Sequence, residues 1–392
     1  MVPNDWERKP IKDLCESIID CVNKTAKHVE HVTPFKMIRT TNVRNGRVDT
    51  SNVRYVEEDT YKQWIRRGAP KDGDIIFTRE APVGEAGILE NAQGIFLGQR
   101  TMMYRSHPKR SDNRYLFYSL MSGYCQKQIE DFSNGGTVAH MRVPDCGELI
   151  INTPPLPEQR KIAKILSTWD KAIATTEKLI ETSKQQKKAL MQQLLTGKKR
   201  LVNPETGKEF EGEWEEVKLG DISYITTGSS NREDSSLDAK YTFFDRSEDI
   251  RTSSRYLFDA EAVIVAGEGQ DFVPKHFEGK FDLHQRTYAI MNFENSFGRF
   301  LYYYIGYYRH YFLTQAVGST VKSLRLPMFK KMPIKLPTMA EQQKIASVLT
   351  VTDKEIELLE AKLAHFKQEK KALMQQLLTG KRRVKVDEME VV

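Results

Sequence analysis

The stretch KKALMQQLLTGK at Lys187–Lys198 returns letter for letter at Lys370–Lys381. Working outward, Glu158–Gly197 matches Glu341–Gly380 at a constant offset of 183, with 23 of 40 positions identical and no gap. The offset extends upstream, where Gly135, Thr137, Val138, Arg142 and Pro144 correspond to Gly318, Thr320, Val321, Arg325 and Pro327. Further back it drifts: QRT at Gln99–Thr101 answers QRT at Gln285–Thr287, and Trp6-Glu7 answers Trp214-Glu215. The chain is a duplication of one unit, a diverged globular region followed by a better-preserved helical region.

Pro157 and Glu158 stand where a helix starts, and Gly197 and Gly380 where one stops. Between them Ile162, Leu166, Trp169, Ile173, Ile180, Leu190 and Leu194 fall on one seam, with Thr176, Ser183 and Lys187 at its polar steps. Ile345, Leu349, Ile356, Leu359, Leu363, Phe366, Leu373 and Leu377 keep the same alternating four-and-three phase. Each helix of about 40 residues spans roughly 60 Å. The globular regions read as mixed α and β. Met37–Val43, Asp74–Thr78 and Ile95–Tyr104 are strand-like, Asn45-Gly46 is a hairpin turn signal, and Asn113–Phe132 has helical spacing. The second region repeats the theme with Ala262–Ala266, Arg286–Met291 and a helix from Arg299. The aromatic stripe Phe297–Phe312 reads as core, because stacking platforms sit among basic side chains. The expected class is α+β: two mixed α/β domains separated by two long antiparallel helices forming a coiled coil, with a pseudo-twofold internal repeat. The expected boundaries are 1–153, first domain; 154–197, first spacer helix; 198–213, linker; 214–336, second domain; 337–380, second spacer helix; 381–392, charged tail.

Of 392 residues 39% are hydrophobic and 29% charged, and no apolar run approaches the roughly 20 residues a membrane-spanning helix needs. The charged N-terminus has no following apolar stretch, so no secretory signal is expected and the protein is expected in the cytoplasm, away from membranes. Cys15, Cys21, Cys125 and Cys146 lack CxxC spacing and a histidine cluster, which argues for buried thiols over a metal site or disulfides. The net charge is +7, yet residues 158–201 alone hold 11 Lys+Arg against 4 Asp+Glu, while residues 202–340 hold 17 against 20. Contact with a polyanion therefore has to come from local basic loops. Lys198-Lys199-Arg200 and Lys381-Arg382-Arg383 fit either helix-end complementation or phosphate contact.

No catalytic constellation is present in the sequence. Thr196-Gly197-Lys198 lacks the upstream glycine of a phosphate loop, and Gly267-Glu268-Gly269 is too short for a nucleotide fingerprint. Asn152-Thr153-Pro154-Pro155 has its asparagine displaced and Leu156 in place of the aromatic of an amino-methyltransferase loop. His28 with His31, and His276 with His284, come with no companion nucleophile or carboxylate motif. No metal, cofactor or catalytic residue is expected in this chain.

What is present suits DNA recognition. Arg39, Thr41, Asn42 and Arg246 follow strands beside small hydroxyl residues, and the glycine-bearing segments supply Thr137, His140, Arg142, Ser319, Thr320, Lys322 and Arg325. Arginine and amide side chains read base edges in pairs of hydrogen bonds, while hydroxyls and backbone N–H groups hold phosphates. Gln99-Arg100 and Gln285-Arg286 survive in both halves and so suit scaffold or phosphate roles. Residues reading different bases should differ between halves, which favours Arg44, Asn45, Arg47, Arg79, His140, Gln270, Lys275 and His276 as base readers.

Taken together the pattern resembles the specificity (S) subunit of Type I restriction-modification systems. The resemblance covers nearly the whole chain and rests on PPLPEQRKIA at Pro154–Ala163, MAEQQKIA at Met339–Ala346, both KKALMQQLLTGK stretches, and GDIIFTR at Gly73–Arg79. The second domain departs from it, with Ala262–Gly267 where the first has a Gly-Asp-Ile strand entry. The resemblance implies two target-recognition domains, each reading half of a bipartite asymmetric site in double-stranded DNA, held apart by helices that set the gap. It implies assembly with two methyltransferase subunits, which bring S-adenosylmethionine, and with restriction subunits, which bring ATP- and Mg-dependent translocation and cleavage. Two other readings are the recognition portion of a fused single-chain enzyme, and a coiled-coil scaffold without DNA specificity.

Overall fold

The computed structural model describes residues 2–133, 139–247 and 249–386. They divide into two compact units: Met1–Glu177 together with Lys362–Val392, and Lys178–Ala361. Thr137 lies outside the described residues.

In the first unit a four-stranded sheet runs in the order Cys15–Asp20, Thr101–Ser106, Ile75–Arg79, Val83–Ile88. A three-stranded sheet sets Lys36–Ile38 between Arg54–Tyr55 and Ile95–Leu97, and its pairing with Ile95–Leu97 is parallel. The apolar run Ile95–Tyr104 thus forms two strands, Ile95–Leu97 and Thr101–Ser106, one in each sheet. The chain turns between them at Gly98–Arg100, where Arg100 adopts φ +69°. Gly98 is required there: its N–H donates to Ile38 O at 2.7 Å, and a Cβ would also lie 2.7 Å from that oxygen. The helical stretch after Asn113 likewise breaks, into Asn113–Leu120, capped by Asp112 Oδ1 accepting from Tyr115 N, and Gly123–Ser133. Ile75, Phe77, Tyr104, Tyr115 and Leu116 form the core beneath them.

The second unit is built on a seven-stranded sheet, ordered Tyr224–Thr227, Thr287–Met291, Phe258–Ala266, Lys275–Leu283, Tyr241–Phe244, Arg251–Ser253, Ser235–Ser236. Its pairings are antiparallel except that of Tyr241–Phe244 with Lys275–Leu283. Phe300, Tyr303, Tyr304 and Phe312 of the aromatic stripe are buried against this sheet, in the core the sequence suggested.

The two long helices are Leu156–Leu194 and Met339–Leu377, 39 residues each. The strands that lead into them, Ile150–Thr153 and Pro333–Leu336, pair antiparallel with Glu7–Pro10 and Glu215–Lys218. Within the first unit the start of the first helix runs against the end of the second, in opposite directions, through Asp170–Lys370 at 2.5 Å and Glu177–Lys367 at 2.9 Å. Within the second unit the counterparts, Asp353–Lys187 and Glu360–Lys184, do the same. Both lysine pairs repeat at the offset of 183. Tyr118 donates to Asp170 and Tyr303 to Asp353, and Lys370 and Lys187 lie over the two tyrosine rings. Burial and the neighbouring aspartate raise both phenol pKa values.

Among the apolar seam positions Ile162, Leu166, Ile173, Ile180, Leu194, Ile345, Leu349, Ile356 and Leu377 are buried. Trp169, Leu190, Leu359, Leu363, Phe366 and Leu373 are half-buried, with Trp169 edge-on to Phe366 at 5.6 Å. The helix ends go to the other repeat's domain. Leu377 and Leu378, from the second repeat, join the first unit's core, and Leu194 and Leu195, from the first repeat, join the second unit's core. Full burial of each such leucine contributes about 1.5–3 kcal/mol. Identical helix ends follow from this exchange, because both must fit a docking place with the same parts. A glutamine at the head of each helix fixes that place: Gln159 donates to Pro154 O and accepts from Asp112 N, and Gln342 donates to Pro337 O and accepts from Phe297 N.

Candidate nucleic-acid interface

A parallel strand pair ends at a QR turn in each domain. In the first, Lys36–Ile38 and Ile95–Leu97 lead into Arg39–Thr41 and Gln99-Arg100. In the second, Tyr241–Phe244 and Lys275–Leu283 lead into Asp245-Arg246 and Gln285-Arg286, and His284 N donates to Phe244 O at 2.9 Å as Gly98 N does to Ile38 O. Loops leaving the carboxyl ends of neighbouring parallel strands diverge and leave a crevice, a placement that favours ligand sites. Both domains have a cavity there.

The first cavity, about 300 Å³, is lined by Thr25, Ala26, Met37, Arg39, Thr40, Thr41, Arg54, Gln99 and Arg100. Gln99 is held by Thr25, whose hydroxyl donates to Gln99 Oε1 at 3.2 Å, and Arg100 pairs with Glu80 at 3.1 Å. Arg54 stands opposite Met37 in the strand register. Arg39 Nε is buried without a hydrogen-bond partner, and burial, then Arg54, pushes the guanidinium pKa below its usual value. No lining residue carries a carboxylate.

The second cavity, about 260 Å³, is lined by Arg232, Asp245, Arg246, Glu268, His284, Gln285 and Arg286. Gln285 Nε2 donates to Asn231 Oδ1 at 2.6 Å. Arg286 donates to Glu268 at 2.7 Å, with Arg246 4.0 Å from Glu268 and Arg232 3.9 Å from Asp245. Burial pulls the Asp245 pKa upward, but hydrogen bonds from Ser247 and the charges of Arg232 and His284 outweigh it and leave it lowered. Burial also lowers the His284 pKa against the attraction of Asp245. The place recurs, while its charge does not: the second cavity sets two carboxylates among its three arginines.

The cavities gather Arg39, Thr41, Arg100, Arg246 and Arg286. The residues favoured for differing between halves lie elsewhere. Arg44 is tied to Thr40 O at 2.5 Å and Val43 O at 2.8 Å. Asn45 takes the turn at φ +53° and donates its N–H to Glu85. Arg47 pairs with Glu177 at 2.9 Å, and Arg79 is held by Asp20 at 3.0 Å and Met141 O at 3.2 Å. Lys275 donates to Ser247 O at 2.6 Å. His276 is corrected most clearly: its side chain is 6% exposed and its Nε2 lies 2.8 Å from Glu261, so the imidazole faces inward. Asn42 is also inside, 3% exposed, donating to Asp49 O and Asn52 O and accepting from Arg39 N. His140, Gln270, Ser319, Thr320 and Arg325 are exposed. Arg142 is clamped to Asp145 at 2.7 Å, and Lys322 reaches Leu313 O at 3.4 Å.

Sequence reasoning missed Arg54, Arg232, Glu268 and His284. The repeated QRT marked their neighbourhood, but Arg54 reaches the cavity through strand register, which no local pattern reveals. Among the described residues no helix is long and apolar enough to cross a membrane.

The family model for the Type I restriction modification DNA specificity domain matches residues 3–185 and again 211–368. A protein of Methanocaldococcus jannaschii assigned as the MjaX specificity subunit of a type I restriction enzyme is 27% identical, over 98% of this chain and 95% of its own. The type I restriction enzyme EcoDI specificity subunit of Escherichia coli is 30% identical over 43% of this chain and 37% of its own. In fold, the chain is similar to the crystal structure of the Type-I restriction-modification system S subunit from M. genitalium, with a TM-score of 0.65, 17% identity and coverage of 96% and 98%. Two family matches, one on each globular region and its following helix, cover most of the chain, which therefore belongs to the family of Type I restriction-modification DNA specificity subunits.

Proposed function

We propose that this specificity subunit reads a bipartite asymmetric site in double-stranded DNA with one domain per half-site, residues 1–153 for one half and 214–336 for the other. The observation that carries the reading is the recurrence of one cavity beside the QR turn in each domain, at the same topological place and with different charge. A shared place puts each domain's DNA contact at the same edge of its fold; differing linings mean that the two domains engage their half-sites differently. The long helices act as an antiparallel coiled coil that sets the gap between pseudo-twofold repeats, a reading supported by the ion pairs that repeat within each unit at the offset of 183.

In this reading the chain itself is non-catalytic and binds no cofactor. Two methyltransferase subunits bring S-adenosylmethionine, and restriction subunits bring ATP and Mg. Leu179, Val351 and Leu358, 48%, 63% and 72% exposed on the helices, suit docking of another protein. The assembly works in the cytoplasm, where the DNA is. The test is to map methylated bases in cells carrying the cognate methyltransferase with and without this chain. One bipartite asymmetric motif that appears only with the chain is expected; methylation independent of the chain contradicts the reading.

A further inference from the structure

The first cavity has a charge problem that the fold leaves unsolved. Arg39 and Arg54 converge on it, Arg39 Nε is buried without a partner, and neither guanidinium forms an ion pair among the described residues. The third arginine, Arg100, has Glu80. Two unpaired like charges at one crevice repel each other, and an anion between them removes the repulsion. The hydroxyls of Thr40 and Thr41 add neutral donors at the same mouth. A base edge offers neutral acceptors and leaves two net positive charges in place; a phosphodiester oxygen pair does not. The second cavity has no such need, because Asp245 and Glu268 already stand among its arginines.

We infer that the Arg39–Arg54 cavity of the first domain is a seat for one DNA backbone phosphate, anchoring that domain on the duplex without reading sequence, whereas the matching cavity of the second domain is not a phosphate seat. The inference rests on the proposed DNA-reading role and adds a division of labour within it. The same chemistry would admit free inorganic phosphate, so the test separates the two sources.

The experiment uses the full chain assembled with its methyltransferase subunits. Binding to a duplex carrying its motif and to an unrelated duplex is measured across salt concentrations for the native chain, Arg54→Gln, Arg54→Lys and, in the second cavity, Arg286→Gln. Arg54 is exposed on a two-residue strand, so its replacement spares the core. Arg54→Gln is expected to weaken both duplexes by the same factor, roughly ten-fold. It should reduce the slope of log K against log salt by about 0.9 and leave the motif unchanged. Arg54→Lys should keep the slope, and so should Arg286→Gln.

Replacing single phosphates by neutral methylphosphonates should reveal one position whose neutralisation weakens the native complex but adds nothing to Arg54→Gln. Loss confined to the motif duplex, with one base position relaxed, would overturn the phosphate seat while leaving the DNA-reading role standing. So would an unchanged slope, or tight binding of inorganic phosphate that Arg54→Gln abolishes without affecting DNA. Failure of the native assembly to prefer its motif would instead strike the DNA-reading role itself.

Discussion

Arg383 forks onto Glu158: Nε lies 2.7 Å from Oε1 and Nη2 2.8 Å from Oε2, across 225 residues of sequence. Glu158 is 3% exposed and also accepts from Trp6 Nε1, while Arg383 reaches Asp5 and lies over the Trp6 ring. The guanidinium's hydrogen bonds to Glu158 first, and then to Asp5, raise its pKa. Arg200 repeats the fork on Glu341, at 2.7 Å through both Nε and Nη2. The basic run after each helix thus supplies the arginine that neutralises a buried glutamate at the head of the other repeat's helix.

Removing Arg383 leaves Glu158 buried and uncompensated. Because the arginine is 42% exposed, the loss falls below that for a fully buried pair, at about 1–3 kcal/mol. Arg383→Ala should lower the unfolding free energy by this much and Arg200→Ala, which removes an arginine 21% exposed, by at least as much, each read as a lower denaturant midpoint. Glu158→Gln combined with Arg383→Ala should cost less than the sum of the singles. Unchanged midpoints would mean that the forks hold nothing together.

Leu194 belongs by sequence to the first repeat and by packing to the second unit's core. Leu194→Ala should cost about 2–5 kcal/mol and speed amide exchange in residues 214–336, leaving residues 7–153 protected. Leu377→Ala should do the converse, since Leu377 packs in the first unit's core. Exchange accelerating in the mutated repeat's own domain would refute the exchange of helix ends.

The sequence announces the two helices and their seam because a repeat of 3.5 residues needs no partner to be seen. It does not announce the exchange: identical ends at Lys187–Lys198 and Lys370–Lys381 fit either domain equally, so likeness says nothing of partnership. The parallel pairs beside the QR turns are hidden for a related reason, since Ile95–Tyr104 reads as one apolar run until Gly98 and Arg100 turn it between two sheets. The base-reader candidates show the limit most plainly. A basic residue in a loop is visible locally, but the Asp20 that meets Arg79 and the Glu261 that meets His276 are not. The QRT pairs, read as scaffold or phosphate contacts for being alike, mark both cavities.

His276 is buried beside Glu261, Arg299, Glu278 and Tyr302, and burial, with Arg299, lowers its pKa from 6.5 against the pull of Glu261. A depressed histidine pKa means that the unfolded chain binds the proton more readily. Its contribution is therefore complete above pH 6.5 and is lost as the pH falls through the folded value. The denaturant midpoint of the native chain should fall between pH 7.5 and 5.5, and His276→Gln should flatten that fall. An unaltered pH slope would contradict the burial of a neutral imidazole.

Cys15, Cys21, Cys125 and Cys146 are all buried and free. Burial pushes the thiols of Cys15, Cys125 and Cys146 up to about 12 and raises that of Cys21. Thiolate is then scarce at neutral pH, and iodoacetamide should label none of the four rapidly in the native chain and all of them in denaturant. A rapidly labelled cysteine in the native protein would contradict that packing.

The claim that each domain reads its own half-site meets its most direct test in a domain exchange. Residues 214–336 are replaced by the matching region of a related subunit, and the methylated motif is mapped in cells that carry the cognate methyltransferase. One half of the motif should change to the relative's and the other should remain. Alteration of both halves, or of neither with methylation retained, would contradict the account.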